Sequence, residues 1–323
     1  MRRRDFIALM GGIASWPLTA RAQHHPPKLR IGVTTIQSWA SPIYTAFNQR
    51  LRELGYIEGE NLAVDLLNPQ DETGGIGAVV AELVHRKVDV IVAPYESTVK
   101  AALAARTTIP IVMIAIDYDP LALGYVKSLS RPGNNITGLF LQQPELARKR
   151  LQLLAEALPD LQSGTMFWDP SSEYQWNATS SAARDLGLQL VGIQMRDQPY
   201  DYEKALARAP ADNRKVVMVA TSGVFYRERQ RVADFALQNK IASVFALREW
   251  VDAGGLFSYG ANFPAVFRRA AEFVDMIARG TKAADLPVEQ PTKFELVLNL
   301  KTAKAIGVTI SALTLVRADE VIE

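Results

Sequence analysis

Val88-Asp89-Val90-Ile91-Val92, followed by Ala93-Pro94-Tyr95-Glu96-Ser97-Thr98, reads as a buried strand that runs into a loop and then a helix. The strand is short, β-branched and nearly all apolar, which suits a sheet covered on both faces. The same unit recurs around it. Upstream, Leu29–Thr34 and Leu62–Leu67 read as strands. Pro42–Leu54 reads as a helix with Ser41 as N-cap, Pro42 at its first position and Gly55 as its stop. Ile76–Arg86 and Ser97–Arg106 read as helices, and Ile109–Ile116 as a fourth strand. Strands alternating with helices of about 10–15 residues indicate βαβ units and a parallel sheet.

The pattern restarts near residue 140. Ile136–Leu141 is a strand and Pro144–Leu158 a long helix; Thr165–Trp168 then opens a second series. It continues as helix 173–186, strand 188–194, helix 201–208, strand 216–220, helix 224–239 and strand 243–247. A third portion returns with a strand at Leu256–Gly260 and a strong helix. Asn262 caps that helix, Phe263, Val266, Phe267, Ala270, Phe273, Val274 and Ile277 form one apolar face, and Gly280 stops it. Phe294–Leu300 alternates as a strand. The expected fold is α/β: two Rossmann-like, doubly wound lobes joined by a multi-crossover hinge. Residues 23–140 with 257–290 are assigned to lobe 1, and 141–256 with 291–323 to lobe 2.

The N-terminus bears on the compartment. Arg2-Arg3-Arg4 precede an uncharged stretch from Phe6 to Leu18, and Ala20-Arg21-Ala22 forms an A-x-A site. This predicts a secretory signal peptide over residues 1–22, cleaved after Ala22. Arg3-Arg4-Asp5-Phe6-Ile7 also fits a twin-arginine signal. The apolar stretch is shorter than the roughly 20 residues of a spanning helix, so no stable membrane insertion is expected. Losing Arg2, Arg3, Arg4 and Arg21 with Asp5 takes the net charge from +2 to −1. Nothing then argues for binding nucleic acid. The chain has no cysteine to acylate, which predicts a freely soluble protein in a Gram-negative periplasm. Of 3 histidines, His24 and His25 sit at the expected mature terminus and His85 reads as structural. Common metal sites and thiol catalysis are therefore poorly supplied.

Open α/β sheets bind ligands beyond the carboxyl ends of their strands. The loops there carry Trp39; Tyr95, Ser97 and Thr98; Asp117, Tyr118 and Asp119; Trp168 and Asp169; Thr221, Ser222 and Val224; and Arg248 with Glu249. Each has an ordinary structural reading beside the functional one. Asp119 precedes Pro120 and fits a cap, as do Ser97 and Thr98. The aromatics fit the core or a rim, and Arg248 fits a surface pair with Glu249 or Asp252. Gly74-Gly75-Ile76-Gly77 lacks the strand-to-helix setting of a dinucleotide loop. There is no P-loop, no G-x-S-x-G and no metal-binding histidine pair, so no cofactor is expected.

Three longer motifs carry a resemblance: Lys127-Ser-Leu-Ser-Arg-Pro-Gly-Asn-Asn-Ile-Thr-Gly138, Arg248-Glu-Trp-Val-Asp-Ala-Gly-Gly-Leu-Phe-Ser-Tyr-Gly260, and Leu286-Pro-Val-Glu-Gln-Pro-Thr-Lys-Phe-Glu-Leu-Val-Leu-Asn-Leu-Lys-Thr-Ala-Lys304 with the ending Arg317–Glu323. Through them the whole chain resembles the ABC-transporter substrate-binding protein family that includes tryptophan-binding lipoproteins. The resemblance implies a type I periplasmic-binding fold with three crossings and no catalysis. It implies a monomer that captures a small solute between its lobes and presents it to an ABC permease and its ATPase. It matches the ligand loops to Ser97-Thr98, Asp117–Pro120, Trp168-Asp169, Thr221–Val224 and Arg248-Glu249. Tyr118-Asp119-Pro120 stands where the family commonly has Gly-Asp-Pro, and Asp169-Pro170 where it has Asn-Pro. The loop aromatics favour an aromatic amino acid or aromatic acid as ligand. Two other classes compete: a sensing module for a membrane signalling partner, and an exported α/β enzyme using Asp117, Asp119 and Asp169 as acid–base groups.

Overall fold

The structure, a computed structural model, describes residues 28–323. The expected signal peptide lies outside them. Strands β1 (Leu29–Thr34), β2 (Leu62–Leu67), β3 (Val90–Ala93), β4 (Ile111–Ala115) and β5 (Ile136–Phe140) form a parallel sheet in the order β2-β1-β3-β4-β5. A second sheet contains β6 (Ser163–Trp168), β7 (Gln189–Gln194), β8 (Val216–Val219), β9 (Ala242–Phe245), β10 (Phe257–Ala261), β11 (Phe294–Asn299) and β12 (Glu320–Ile322). Its order is β12-β11-β10-β9-β8-β6-β7, and β10 and β11 are its antiparallel neighbours. From β6 to β10 it repeats the order of the first sheet. Two α/β lobes with parallel sheets result, as the alternation of elements predicts. Val90–Ala93, Ile111–Ala115 and Val216–Val219 are buried throughout, which explains their unbroken apolar runs.

The helices are α1 (Pro42–Glu53), α2 (Gly75–His85), α3 (Glu96–Ala104), α4 (Gln143–Ala157), α5 (Glu173–Asp185), α6 (Tyr202–Ala207), α7 (Gly223–Arg227), α8 (Arg229–Gln238), α9 (Glu249–Asp252), α10 (Phe263–Ala278), α11 (Leu300–Ile306) and α12 (Ala312–Arg317). None among the described residues is long and apolar enough to cross a membrane. Two local expectations need correction. Ser41 stands at the N-cap of α1 but its side chain makes no cap bond, leaving Pro42 as the start signal. The helix expected over 224–239 is two helices broken at Glu228, whose carboxylate is held by Tyr202 (2.7 Å) and Arg231 (2.7 Å). Asn262 caps α10 as expected, accepting from the Ala265 N–H at 2.9 Å.

The chain crosses between the lobes after β5, at Asn262 and over residues 290–293. The expected boundary at residue 257 moves, because Phe257–Ala261 pairs with β9 and β11 in the second sheet. Only after Ala261 does the chain return to lobe 1. There Phe267 of α10 meets Tyr44 of α1 edge-on at 5.3 Å, and Tyr56 donates to Asp275 at 2.9 Å. Glu289 then bridges to Leu139 of β5 before the last crossing.

Gly138 lies in β5 beside this bridge at φ +131°, where a Cβ would fall 2.0 Å from the Met113 carbonyl oxygen. Backbone cannot yield as a flexible side chain does, so Gly138→Ala should destabilise by about 2 kcal/mol or more. Urea unfolding of the variant checks this; an unchanged midpoint would show that β4 and β5 do not pack so closely.

Candidate functional site

In a sheet of order 2-1-3-4-5 the switch point lies between the first and third strands, and the crevice opens beyond their carboxyl ends. Both lobes present that crevice to each other. Gln37 follows β1, Pro94–Ser97 follow β3, and Ile116–Tyr118 follow β4. Facing them, Pro170 and Ser171 follow β6, and Thr221–Gly223 follow β8. Together they enclose a cavity of about 410 Å³. Small-molecule sites run from roughly 300 to 1,000 Å³, so this one is sized for a small solute. Tyr44 from α1, Tyr226 from α7, and Phe263 and Phe267 from α10 add aromatic walls.

Of the residues singled out in the sequence, Tyr95, Ser97, Asp117, Tyr118, Thr221 and Ser222 line this cavity. The others lie elsewhere, each for a visible reason. Trp39 packs on Tyr44 (5.0 Å) and Phe47 (6.3 Å). Thr98 is buried behind the wall, its hydroxyl 2.6 Å from that of Thr34. Asp119 caps its own turn, accepting from the N–H groups of Leu121 (2.8 Å) and Ala122 (3.1 Å). Trp168 stacks on Trp176 at 6.1 Å. Asp169 is buried, with its carboxylate bound by Ser171, Ser172, Tyr200 and Ser222; the Ser222 hydroxyl donates at 2.5 Å. It braces the lobe 2 wall instead of facing the cavity. Val224 packs into the core beside the lining Gly223. Arg248 pairs with Glu320 (2.8 Å) and Asp252 (3.3 Å). Glu249 is buried beneath the wall, near Tyr226. Of the three carboxyl groups considered for acid–base work, Asp117 alone lines the cavity, Asp119 caps its own turn and Asp169 is held by hydroxyls of lobe 2.

Sequence reasoning missed Gln175. This buried residue of α5 accepts from the Thr221 N–H (2.9 Å) and donates to the Thr221 carbonyl (2.7 Å). Its Nε2 also donates to Asp117 Oδ1, from lobe 2 to lobe 1. A second bridge runs from Gln37 Nε2 to the Gly223 carbonyl at 2.7 Å. At the rim, Arg227 donates to Gln70 at 3.1 Å. These bonds join the two lobes across the cleft, so the conformation is closed. Phe263 and Phe267 also went unassigned, because a core-facing helix gives the same sequence signal as a cavity wall.

Burial pushes the Asp117 carboxyl well above the usual carboxylate range; the charge of Asp169 adds to this and the Gln175 bond opposes it. The hydroxyls of Tyr118, Thr221 and Tyr226 are buried at the cavity wall without a partner among the described residues. An unsatisfied buried hydroxyl costs about 1–3 kcal/mol. The site is thus apolar over much of its wall, needs hydrogen-bonding partners at several points, and carries carboxyl groups at Asp117 and Glu96 and an ammonium at Lys100.

Two lobes closing over a small cavity at their switch points define a solute-binding protein. The sequence matches the family model for ABC transporter substrate binding proteins over residues 31–322, and the chain belongs to that family. It is 26% identical over 267 residues to a tyrosine-binding protein of Clostridioides difficile, covering 80% of this chain and 75% of that one. A conserved domain protein of Vibrio cholerae O1 biovar eltor superposes with a TM-score of 0.80 at 25% identity, covering 91% of this chain and 99% of that one. An ABC domain from Streptococcus pneumoniae in complex with L-Trp gives 0.79 at 22% identity, covering 91% and 100%. The fold is the type I periplasmic-binding fold.

Glu249 yields a test of the lobe 2 wall. Burial pushes its carboxyl from the ordinary 4.5 up to about 7, with Asp252 and Glu295 adding to the rise and its own backbone N–H and Arg248 opposing it. Between these values the folded chain holds a proton that the unfolded chain has released. Stability therefore falls as pH rises through that window, by up to about 3 kcal/mol. Glu249→Gln should flatten this slope and be more stable than wild type at pH 8, read from urea midpoints. Parallel pH profiles for the two proteins would contradict the assignment.

Proposed function

We propose that this protein is a periplasmic receptor that encloses an aromatic α-amino acid between its lobes and delivers it to an ABC importer. The observation that carries this reading is Asp117, a carboxyl group lining an aromatic-walled cavity whose other carboxylate, Glu96, already accepts from the Tyr125 hydroxyl at 2.7 Å. Removing a carboxylate from water is costly unless a partner charge is supplied. A ligand ammonium supplies it. An aromatic acid without an amine offers Asp117 no cation, so the amino acid is favoured over the acid.

The aromatic walls suit the ligand's ring, since pockets combine apolar surfaces with a few placed polar groups. Ser97, at the start of α3, offers its hydroxyl to the carboxylate end, and the helix start offers N–H groups to the same end. Thr221 and Ser222 are assigned to the ligand's remaining polar atoms. The Clostridioides difficile relative binds tyrosine and the streptococcal structure holds L-Trp, which supports this ligand class. Export rests on the N-terminal residues Met1–Ala22.

Calorimetry should show binding of L-tyrosine or L-tryptophan to the wild-type protein. Truncating a buried, hydrogen-bonded charge pair costs about 2–5 kcal/mol, so Asp117→Asn should weaken binding at least ~30-fold. Equal affinity in the variant would remove the ammonium from Asp117. N-terminal sequencing of protein from the periplasmic fraction should begin at Gln23. An intact Met1 on cytoplasmic protein would overturn the export reading.

A further inference from the structure

We infer that Gln175 is a positioning residue that couples recognition of the ligand's cation at Asp117 to closure of the lobes. The inference rests on the ligand reading above for the cation, and on the structure alone for the latch.

Gln175 lies in the first turn of α5 and is 3% exposed. Two of its hydrogen bonds go to the backbone of Thr221, one accepted at 2.9 Å and one donated at 2.7 Å. This pairing fixes the plane of its amide and fastens the loop after β8 to the helix after β6. With the amide pinned, the direction of the second Nε2 proton is set by lobe 2. That proton meets Asp117 Oδ1 of lobe 1. The only hydrogen bond recorded to the Asp117 carboxyl among the described residues is this one, leaving Oδ2 for the ligand.

Asp117 is therefore shared between a ligand on one oxygen and the opposite lobe on the other. Its surroundings disfavour the charged carboxylate, through burial and through Asp169. A neutral carboxyl accepts a weaker bond from Gln175 than an ionised one, because charge-assisted bonds are roughly twice as strong. A ligand ammonium at Oδ2 holds Asp117 ionised and so strengthens the bond that holds the lobes together. By linkage, closing the lobes tightens the hold on the ammonium to the same degree. A ligand of the same shape without the cation fills the cavity but leaves the latch weak.

The chain has 0 cysteines, so cysteines introduced by Leu123→Cys and Asp197→Cys, one exposed position on each lobe, carry a spin-label pair without background. Distances are measured by pulsed electron resonance in wild type, Gln175→Leu and Asp117→Ala. Each is measured alone, with L-tyrosine and with its deaminated analogue 3-(4-hydroxyphenyl)propionate. In wild type L-tyrosine should shift the population to the short distance and the analogue should not. Both substitutions should reduce the short-distance population, already in the ligand-free protein. Stopped-flow should show L-tyrosine leaving Gln175→Leu about tenfold faster or more. Asp117→Ala leaves the Gln175–Thr221 pairing intact, so it reports on the latch even if Gln175→Leu does not fold. Wild-type distances in both variants, or closure of wild type by the analogue as complete as by L-tyrosine, would overturn the coupling. If no aromatic amino acid binds wild type, the ligand reading fails. The ligand-free comparison of wild type with the variants still decides whether the latch exists.

Discussion

A carboxyl group removed from water must find partners, and in this protein the partners of Asp117 come from outside its own lobe. Gln175 reaches it from lobe 2, and the residue itself lines the cavity. In an isolated lobe Asp117 would sit at the end of β4 as a solvated loop residue. Closure turns the same residue into a half-buried acid that feels the charge of Asp169, and the energy of that burial depends on what lies between the lobes. This makes one side chain sensitive both to ligand charge and to lobe separation, the two properties a solute receptor has to connect.

The rest of the architecture serves that placement. Each lobe repeats one strand order, so each has its switch point at the same end of its sheet. Crossings after β5, at Asn262 and at 290–293 set those ends face to face. Helix α10 joins the two roles. It docks on α1 through Phe267 and Tyr44. Phe263 at its start reaches Tyr226 of the opposite lobe at 5.9 Å. The cavity wall is thus continuous with the core of lobe 1. Asp169 and Glu249 lie behind the lobe 2 wall, the first with both carboxylate oxygens hydrogen-bonded and the second with neither oxygen in a well-formed hydrogen bond among the described residues. Buried polar groups of the second kind are tolerated where they are neutral, consistent with the raised titration of Glu249.

The order of elements was legible because its signals are local: apolar runs for strands, and Pro42, Asn262 and Gly280 for helix ends. The rule that ligands gather beyond strand ends led to loops that line the cavity, and within them to Tyr95, Ser97, Asp117, Tyr118, Thr221 and Ser222. It could not say which way each loop residue turns. Asp119 satisfies itself within its own turn, and Asp169 divides its carboxylate between its own turn and the distant hydroxyls of Tyr200 and Ser222. Arg248 is drawn to Glu320, on a strand of 3 residues too short to read from periodicity. Gln175 left no trace because its role depends on the backbone of Thr221, 46 residues away, and on a carboxylate in the other lobe. Long-range polar pairing of this kind has no period and no motif.

The central claim is that the ligand's ammonium and Gln175 share Asp117 across a closed cleft. A crystal structure grown with L-tyrosine tests it most directly. The account predicts the ligand nitrogen at about 3 Å from Asp117 Oδ2, with Gln175 still bonded to Oδ1 and the ring among the aromatic walls. A bound amino acid whose nitrogen lies away from Asp117, or one held with Gln175 and Asp117 apart, would contradict it.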